Sequence, residues 1–418
     1  RVMNRIYITP DIGVLHADIL KDPYFEGFWD IKRGVSVNCY LLTGEKTALI
    51  DLYGEWEHAD EQIEERLKLH GFSVEDIDVL IMHHAESDHT ASVADLMKRN
   101  KKLHIYCTEK TAAFLKNFIK LPEPDLQRIK TVKTGDSLSL GKGRNAEAEL
   151  TLNFYETPNV HWPETMMSYE PNSKTLFSCD AFGSYGAMSD NRMFDDEFSE
   201  EEHRIFEEEC QRYYATVVAS FGVPVKNALA KLKDLDIRTI APSHGMVWRK
   251  NPKTIVERFA RYAGYNTGGE QEKRICVICG SMYGHTEKGC KAVTEGIEKA
   301  GVPYTFMKIP DTPMSYIIGE ALRCKGLVHA FPTYEYKMFP PAAWVLDVFS
   351  RKHLYDKTVL RIGSWGWSGG AQKEYEQLTA ALKWTQLESF EWQGMPSEQN
   401  LADLKERGAA LAEEIKKS

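Results

Sequence analysis

The sequence predicts an α/β protein of two domains, residues 1–266 and residues 267–418. Three observations support this prediction. The chain has 418 residues, which is more than one ordinary hydrophobic core supports. Strand-like and helix-like segments alternate along both halves. Between the halves, the stretch NTGGEQEKR at residues 266–274 places two glycines beside charged residues, a composition typical of a linker.

The first domain is predicted to begin with strands and to continue with alternating helices. Apolar and β-branched runs favour strands at VSVNCYLL (35–42), TALIDL (47–52) and DIDVLIMHH (76–84). Helical spacing of apolar residues favours helices at HADEQIEERLKLHGF (58–72) and ASVADLMKRN (91–100). This mixture indicates a layered α/β domain.

The second domain shows a more regular alternation of strands and helices. The predicted strands are RICVICG (274–280), YTFMKI (304–309), KGLVHAF (325–331) and TVLRIGSW (358–365). Helical runs separate them, and the last helix places its apolar residues on one face. Such an alternation predicts a doubly wound parallel sheet.

Composition and charge limit the classes of function. A net charge of -9 argues against nucleic acid as the main partner. No apolar run reaches the ~18–20 residues of a membrane span, and no apolar signal core stands at the start, so we expect no membrane partner. The 8 cysteines form no dense framework, which predicts reduced thiols and a cytoplasmic location.

The stretch IMHHAESDHT, residues 81–90, concentrates histidines and carboxylates just after a predicted strand. His84, Glu86 and Asp88 alternate, so an extended loop would place them on one side, with His89 adjacent. His83 is expected to point away and to serve a structural role. The pattern predicts metal ligands at the end of the strand.

The spacing H-x-E-x-D-H resembles the H-x-H-x-D-H signature of metallo-β-lactamase-fold proteins, with Glu86 in place of one histidine. That resemblance implies an αβ/βα sandwich and three further ligands in a set order. HWPETM supplies His161, FSCDAFG supplies Asp180, and PSHG supplies His244. Because two close metals need a bridging group, Asp180 is the expected bridge.

The resulting ligand sets are His84, Glu86 and His161 for one metal, and Asp88, His89 and His244 for the other. Replacing an imidazole with Glu86 makes the site harder and more anionic, which favours iron or manganese. Zinc also accepts carboxylates, so zinc stays open.

The stretch SMYGHT after the first strand of the second domain resembles the phosphate loop of flavodoxins, with Tyr283 in place of the middle threonine. Backbone N–H groups and hydroxyls at a helix N-terminus form an anion site. The predicted FMN-binding residues of this loop are Ser281, Met282, Tyr283, Gly284, His285 and Thr286. A single phosphate loop without an adenosine fingerprint favours FMN over FAD.

Two further loops would meet this one at the carboxyl edge of a doubly wound sheet. HAFPTYEY resembles the second flavodoxin loop, and GSWGWSGG follows the fourth strand. The predicted flavin-lining residues are Pro332, Thr333, Tyr334, Ser364, Trp365, Gly366, Trp367 and Gly369. For the two tryptophans, simple packing is the alternative interpretation.

A metallo-β-lactamase-like domain followed by a flavodoxin-like domain resembles the flavodiiron protein family over the whole chain. The resemblance implies two non-haem iron ions and one FMN per chain, and reduction of O2 to water and/or NO to N2O. It also implies a separate electron donor such as rubredoxin, and a head-to-tail homodimer or a dimer of dimers. The resemblance also implies a tyrosine beside the metal ligands, which would be Tyr213 in CQRYYATVV, with its neighbour Tyr214 as the alternative.

Two rival functions stay open at this point. One is a zinc-dependent hydrolase of the metallo-β-lactamase fold with an appended flavodoxin domain, which Glu86 disfavours. The other is an FMN electron carrier with a degenerate metal domain, which the complete ligand set disfavours. The sequence does not choose between O2 and NO as substrate.

Overall fold

A computed structural model describes residues 3–56, 58–188 and 191–418 of the chain. The chain divides into two compact units. The first consists of Arg1–Tyr213 and Val223–Ala260, and the second of Tyr214–Gly222 and Arg261–Ser418. The domain boundary between residues 266 and 267 stays a prediction of the sequence.

Up to residue 265, the described part of the chain forms these strands: β1 (Ile6–Thr9), β2 (Ile12–Ile19), β3 (Tyr24–Phe25), β4 (Trp29–Asp30), β5 (Val35–Thr43), β6 (Thr47–Ile50), β7 (Val79–Ile81), β8 (His104–Cys107), β9 (Ile129–Thr131), β10 (Ser137–Lys142), β11 (Glu149–Glu156), β12 (Met166–Glu170), β13 (Thr175–Cys179) and β14 (Thr239–Pro242). Its helices are α1 (Ala59–Leu69), α2 (Ser87–Thr90), α3 (Val93–Arg99), α4 (Glu109–Phe118), α5 (Glu123–Leu126), α6 (Glu200–Tyr213), α7 (Gly222–Leu232) and α8 (Pro252–Tyr265). Short 3-10 or π turns cover Val74–Asp76, Asp195–Glu197, Tyr214–Val218 and Ala219–Phe221.

Two sheets form the centre of the first unit. The larger has seven strands in the order β1-β2-β5-β6-β7-β8-β9, and the smaller has five in the order β10-β11-β12-β13-β14. The strands β6, β7, β8 and β9 run parallel, and β13 runs parallel to β14. Because parallel strands end at the same edge, the residues that follow β6, β7, β13 and β14 are delivered to one edge of each sheet.

Buried side chains join the two sheets. The rings of Tyr40 on β5 and Phe177 on β13 lie with centroids 5.2 Å apart. The Tyr40 hydroxyl donates to the Pro242 carbonyl at 2.6 Å, and Asn38 donates to the same carbonyl. Strands β5, β12 and β13 are buried along their whole length, as expected for strands that are covered on both faces.

The second unit holds a parallel sheet with helices around it. Its strands are β15 (Glu272–Gly280), β16 (Tyr304–Ile309), β17 (Cys324–Ala330), β18 (Thr333–Tyr334), β19 (Lys337–Met338), β20 (Thr358–Trp365), β21 (Thr385–Gln386) and β22 (Phe390–Gln393). Its helices are α9 (His285–Ala300), α10 (Met314–Arg323), α11 (Pro340–Arg351), α12 (Ala371–Thr379) and α13 (Glu398–Lys417).

The strand order β16-β15-β17-β20 continues to β21 and β22, which both pair with β20. This is the flavodoxin-like doubly wound order, so the predicted architecture of this unit is confirmed. One face packs against α9 and α13, where Leu404, Leu411 and Ile415 are fully buried. The cysteines Cys276 and Cys279 of β15 are buried as well, and their thiols are free.

Across the described ranges, none of the helices has both the length and the apolar character that a bilayer crossing requires.

Candidate metal centre and phosphate loop

The first ligand group consists of His84, Glu86, His161 and the Oδ2 atom of Asp180. Glu86 Oε2 lies 3.1 Å from His84 Nε2 and 3.0 Å from His161 Nε2. Asp180 Oδ2 lies 3.5 Å from His84 Nε2 and 3.3 Å from His161 Nε2. The ligand atoms of the four residues all lie within 4.8 Å of one another, which is compatible with one metal ion.

The second ligand group consists of Asp88, His89, His244 and the Oδ1 atom of Asp180. Asp180 Oδ1 lies 3.1 Å from His89 Nε2 and 3.5 Å from His244 Nε2. Asp88 Oδ2 lies 3.5 Å from His89 Nε2 and 3.3 Å from His244 Nε2. Each oxygen of Asp180 therefore faces a different group, which is the arrangement that a bridging carboxylate requires.

Loops that follow four strands bring these residues together, and His161 lies in the loop after β11. His84 follows β7, Asp180 follows β13 directly, and His244 follows β14. The expected extended loop over residues 84–88 is wrong, because α2 begins at Ser87. Since a helical turn rotates successive side chains apart, Asp88 and His89 face the second group while His84 and Glu86 face the first.

A glycine permits this close packing of the loop. A Cβ atom on Gly54 would lie 2.8 Å from Asp88 Cα, which is closer than real Cβ atoms approach. The loop after β6 can therefore lie directly against α2 only because residue 54 lacks a side chain. Any larger residue there would displace Asp88.

The donor atoms suit a pair of transition-metal ions. His84, His89, Asp180 and His244 are at most 2% exposed. The buried atoms His161 Nε2, His244 Nε2 and both Asp88 carboxylate oxygens have no hydrogen-bond partner of normal geometry. Since such atoms are costly to bury without partners, a bound cation is the arrangement that satisfies them. Imidazole nitrogens and carboxylate oxygens together fit iron or manganese, and zinc less specifically.

Acceptors behind two imidazoles fix their orientation. His84 Nδ1 lies 2.7 Å from Glu164 Oε1, and His244 Nδ1 lies 2.7 Å from the Ser36 carbonyl. Because a carbonyl can only accept, His244 carries its proton on Nδ1 and presents a lone pair at Nε2. Glu164 imposes the same tautomer on His84, so both rings are prepared to bind metal through Nε2.

His83, for which the sequence predicts a structural role, lies in a buried hydrogen-bond network. Its Nδ1 lies 2.8 Å from Asp51 Oδ2 and its Nε2 lies 2.7 Å from Ser168 Oγ. Asp51 also accepts the backbone N–H of His83 at 2.9 Å. This buried network anchors the residue that precedes His84 and joins the larger sheet to the smaller one.

Sequence reasoning missed Glu164, Ser36 and Asp51 as supports of the centre. Glu164 stands three residues after His161 in the motif HWPETM, and this spacing is the only signal that pointed to it. Ser36 acts through its backbone carbonyl, which no side-chain pattern reveals. Asp51 is the next-to-last residue of the predicted strand at residues 47–52, where a carboxylate beside an apolar run is the corresponding signal.

The electrostatics of the metal-free centre couple protons to metal binding. Burial alone would lower the pKa of His161, but contacts with Asp180 and Glu86 outweigh burial and raise it to about 10. Burial alone would raise the pKa of Glu86, but contacts with His161 and His84 lower it to about 2. At neutral pH, the metal-free protein therefore holds a proton on His161 and none on Glu86.

We expect metal uptake to release protons, because a ligating imidazole must be neutral while metal-free His161 stays protonated up to about pH 10. Protons therefore compete more strongly as the pH falls, and metal affinity should fall with it. Calorimetry of Fe²⁺ binding in two buffers of different ionisation enthalpy should show release of about one proton or more per metal pair. A binding heat that is independent of the buffer would contradict the expectation.

Tyr213 lies beside the second ligand group. Its ring centroid is 5.9 Å from that of His244 and 5.3 Å from that of Tyr185, and it is fully buried. Tyr214 instead packs against Tyr262 at 5.4 Å, within the second unit. Of the two tyrosines that the sequence left open, the structure places Tyr213 at the centre.

A cavity of about 970 Å³ leads to the centre from the surface of the first unit. Glu86 and Asp88 line its inner end, and Phe25 and Trp162 form part of its walls. The Trp162 ring meets the His84 ring edge-on, with centroids 4.9 Å apart. Small molecules can therefore reach the carboxylates of both ligand groups through one opening whose walls include aromatic rings.

The predicted phosphate loop lies between β15 and α9. The Ser281 hydroxyl accepts from the Gly284 backbone N–H at 3.0 Å, and Gly284 adopts a φ of 89°, which favours glycine. Thr286 is buried in the first turn of α9, with its hydroxyl 2.8 Å from that of Ser364. Helix α9 has 16 residues, so its N-terminus can hold an anion. Met282, Tyr283 and Gly284 are exposed around it, and His285 is half-buried.

The other two predicted loops follow β17 and β20 at the same edge of the sheet. In the first of these loops, Pro332 and Thr333 are buried and Tyr334 is exposed. In the second, Trp365 and Gly369 are half-buried and Gly366 is exposed.

Trp367 of the second loop is 65% exposed, which disfavours simple core packing for this residue. Its ring lies 4.7 Å from that of Tyr336, which the sequence analysis did not include. Hydroxyls, backbone groups and exposed aromatic rings thus meet where a flavin phosphate and ring system would fit.

Comparisons with known proteins agree with both parts of this description. The profile of the family described as ODP family beta lactamase matches residues 35–245. The anaerobic nitric oxide reductase flavorubredoxin of Vibrio vulnificus is 31% identical over 389 residues, which cover 92% of this chain and 74% of that protein. The nitric oxide reductase of Moorella thermoacetica is 31% identical over 363 residues, covering 86% of each chain.

A solved structure shows that the fold extends over both units. The rubredoxin oxygen:oxidoreductase from Desulfovibrio gigas superposes with a TM-score of 0.89 and 23% identity, covering 99% of both chains. At this identity the likeness concerns the fold alone. It confirms the predicted combination of a metallo-β-lactamase-like sandwich and a flavodoxin-like domain in one chain.

Proposed function

Because the chain belongs to the flavodiiron protein family and is an oxidoreductase, we propose that it reduces NO to N2O and/or O2 to water at two iron ions. The observation that carries this proposal is the position of Asp180. Its two oxygens face two separate sets of imidazole and carboxylate ligands at the end of one cavity. The zinc hydrolase alternative is not favoured.

The residues of the two ligand groups would hold one iron ion each, and the three loops at the edge of the parallel sheet would hold FMN. When bound, the iron pair would supply the redox chemistry for gas reduction, and FMN would supply a two-electron store between an external donor and the iron pair. We assign rubredoxin, or a protein of similar size and chemistry, as that donor. This assignment rests on the family and on the name of the structurally similar protein from Desulfovibrio gigas, rubredoxin oxygen:oxidoreductase.

The protein's own residues orient and shield the site. Glu164 and Ser36 hold His84 and His244 in the ligating tautomer, so metal binding needs no rotation of either ring. Phe25, Tyr185 and Tyr213 form an aromatic wall beside His244, which limits water near a bound gas. We propose that the Tyr213 hydroxyl donates a hydrogen bond to that gas, since Tyr213 is the buried hydroxyl-bearing ring nearest to His244 in this wall.

A head-to-tail homodimer would bring the two cofactors together. Exposed apolar side chains surround the cavity of the first unit, including Tyr24 and Phe118, both of which line it. Others surround the phosphate loop of the second unit, including Tyr283 and Trp367. Contact between one patch and the other patch of a second copy would cover both. We therefore expect a dimer in sedimentation of the holoprotein, and a fully active monomer would contradict the proposed electron route.

The test of the function begins with a count of iron and flavin, for which two iron ions and one FMN per chain are expected. The reduced protein is then titrated anaerobically with O2 and, separately, with NO, while flavin absorbance and N2O are measured. Rapid reoxidation by at least one gas is expected. Two zinc ions per chain with hydrolysis of a thioester would support the hydrolase instead. Equal electron transfer with and without metal would support a simple electron carrier.

A further inference from the structure

Glu164 is a buried carboxylate that touches the metal centre only through a ligand. Its side chain is fully buried, and Oε1 lies 2.7 Å from His84 Nδ1. The same oxygen accepts the backbone N–H of Ala85 at 2.8 Å. The backbone carbonyl of Glu164 in turn accepts the Thr108 hydroxyl at 3.0 Å. Glu164 is thus held in place from its own backbone, and it holds both the ring of His84 and the loop beside it.

The corresponding support in the second ligand group is weaker. His244 Nδ1 donates to a neutral carbonyl, that of Ser36, at 2.7 Å. His89 Nδ1 is buried and has no hydrogen-bond partner within the described part of the chain. Among the described residues, an anionic acceptor is therefore hydrogen-bonded to an imidazole of the first ligand group, and none is hydrogen-bonded to an imidazole of the second. A charged acceptor strengthens such a hydrogen bond and makes the ring a stronger donor to a metal.

The charge around the two positions differs in the same sense. Each group contains one terminal carboxylate, Glu86 or Asp88, and one oxygen of Asp180. Behind the first group, Glu164 adds a negative charge that is hydrogen-bonded directly to the ligand His84. Behind the second group, the buried Asp51 interacts with His89 at longer range, but its hydrogen bonds go to His83 and Ser243, neither of which is a ligand. Since the effective dielectric constant is low in a buried site, the charge of Glu164 acts on a cation in the first position more strongly than on one in the second.

We infer that Glu164 is a positioning residue that makes the first ligand group the tighter metal site, so that the two positions fill in order. This inference rests on the proposed two-metal centre. It assigns no chemical step to Glu164, which acts through the orientation and donor strength of His84. The two metals would then be unequal in affinity, although their ligands are of the same types.

The test is anaerobic titration of the metal-stripped, full-length protein with Fe²⁺, followed by calorimetry and by competition with a chelator. The wild type is expected to bind two ions in two phases. His161→Ala should retain only the weaker phase and His244→Ala only the tighter one, which assigns each phase to a ligand group. Glu164→Ala should weaken the tighter phase about 10- to 100-fold.

Two further variants separate this effect from general damage to the fold. Glu164→Gln keeps a carbonyl acceptor for His84 and Ala85 but removes the charge, so it should weaken the tighter phase by less than Glu164→Ala does. Glu170→Gln is the matched control. Glu170 is an equally buried carboxylate that accepts the backbone N–H groups of Asn172 and Ser173 and belongs to neither ligand group. It should leave both phases unchanged.

The outcomes decide between the inference and the proposed function. If both Glu164 variants bound two Fe²⁺ ions with the same affinities as Glu170→Gln, the proposed role of Glu164 would be overturned. If the wild type bound both ions with the same affinity, in a single phase, the proposed filling order would be overturned. Failure of the wild type to bind a second ion would instead count against the two-metal centre itself. If Glu164→Ala does not fold, the comparison of Glu164→Gln with Glu170→Gln decides.

Discussion

Asp180→Ala is expected to lower gas reduction by about 10³-fold or more, a loss of ~4 kcal/mol of transition-state stabilisation. The reason is that Asp180 alone contacts all four imidazoles of the centre, two through each oxygen. Its removal leaves each metal position one ligand short and separates the two positions. Steady-state reduction of O2 and of NO, together with an iron count per chain, measures this effect.

Two measurements, the FMN content and the behaviour of a control variant, distinguish loss of the bridging ligand from loss of the folded structure. The Asp180→Ala variant should keep its full content of FMN, because the phosphate loop belongs to the other compact unit. Asp195→Asn is the matched control, since Asp195 is a buried carboxylate of the same unit that accepts backbone N–H groups of Arg249 and Asn251. That control should retain its iron and its activity. Wild-type turnover in Asp180→Ala would refute a bridging role.

Ser281→Ala combined with Thr286→Val is expected to weaken FMN binding about 10- to 100-fold, at roughly 1 kcal/mol or somewhat more for each hydroxyl removed. The Ser281 hydroxyl accepts the Gly284 N–H and so shapes the turn. The Thr286 hydroxyl joins the start of α9 to Ser364 on β20. Fluorescence titration of the flavin-free variant with FMN measures the change.

The iron content of the Ser281→Ala, Thr286→Val double variant serves as an internal control for its overall fold. This iron content should equal that of the wild type, while donor-dependent turnover should fall and recover when excess FMN is added. Thr294→Val is the matched control on the same helix, because the Thr294 hydroxyl donates to the Lys291 carbonyl within α9 and lies outside the phosphate loop. If Thr294→Val weakened FMN binding as much as the double variant, the loss would reflect the helix and not the phosphate loop.

Local patterns predicted much of this protein because its chemistry stands at strand ends. In a parallel α/β sheet the last residue of a strand and the first of its loop lie at the ligand-binding edge. Site residues can therefore be identified from polar residues that directly follow apolar runs, as in LIMHH, FSCD and APSH. This needs no knowledge of which strands pair with each other. The assignment of His84, Glu86 and His161 to one group and Asp88, His89 and His244 to the other agrees with the distances.

Local sequence patterns did not predict the site correctly where the backbone leaves the extended conformation, or where a contact joins residues far apart in the chain. The short helix at Ser87 separates Glu86 from Asp88, although their alternation in the sequence suggests a common side. Glu164 and the Ser36 carbonyl reach their imidazoles across long sequence separations. Contacts of this kind depend on which strands pair, and pairing is not encoded in any one segment.

The sequence by itself determined the chemical types of the ligands, their order along the chain and the two-domain plan, because strand periodicity and ligand spacing are local properties. Only the tertiary structure decided which oxygen of Asp180 faces which histidines, which of two adjacent tyrosines meets His244, and that a carboxylate is hydrogen-bonded to the imidazole of His84 in the first ligand group. Those features arise where β13 runs parallel to β14 and the two sheets meet. They depend on distances between residues far apart in the chain, which only packing sets.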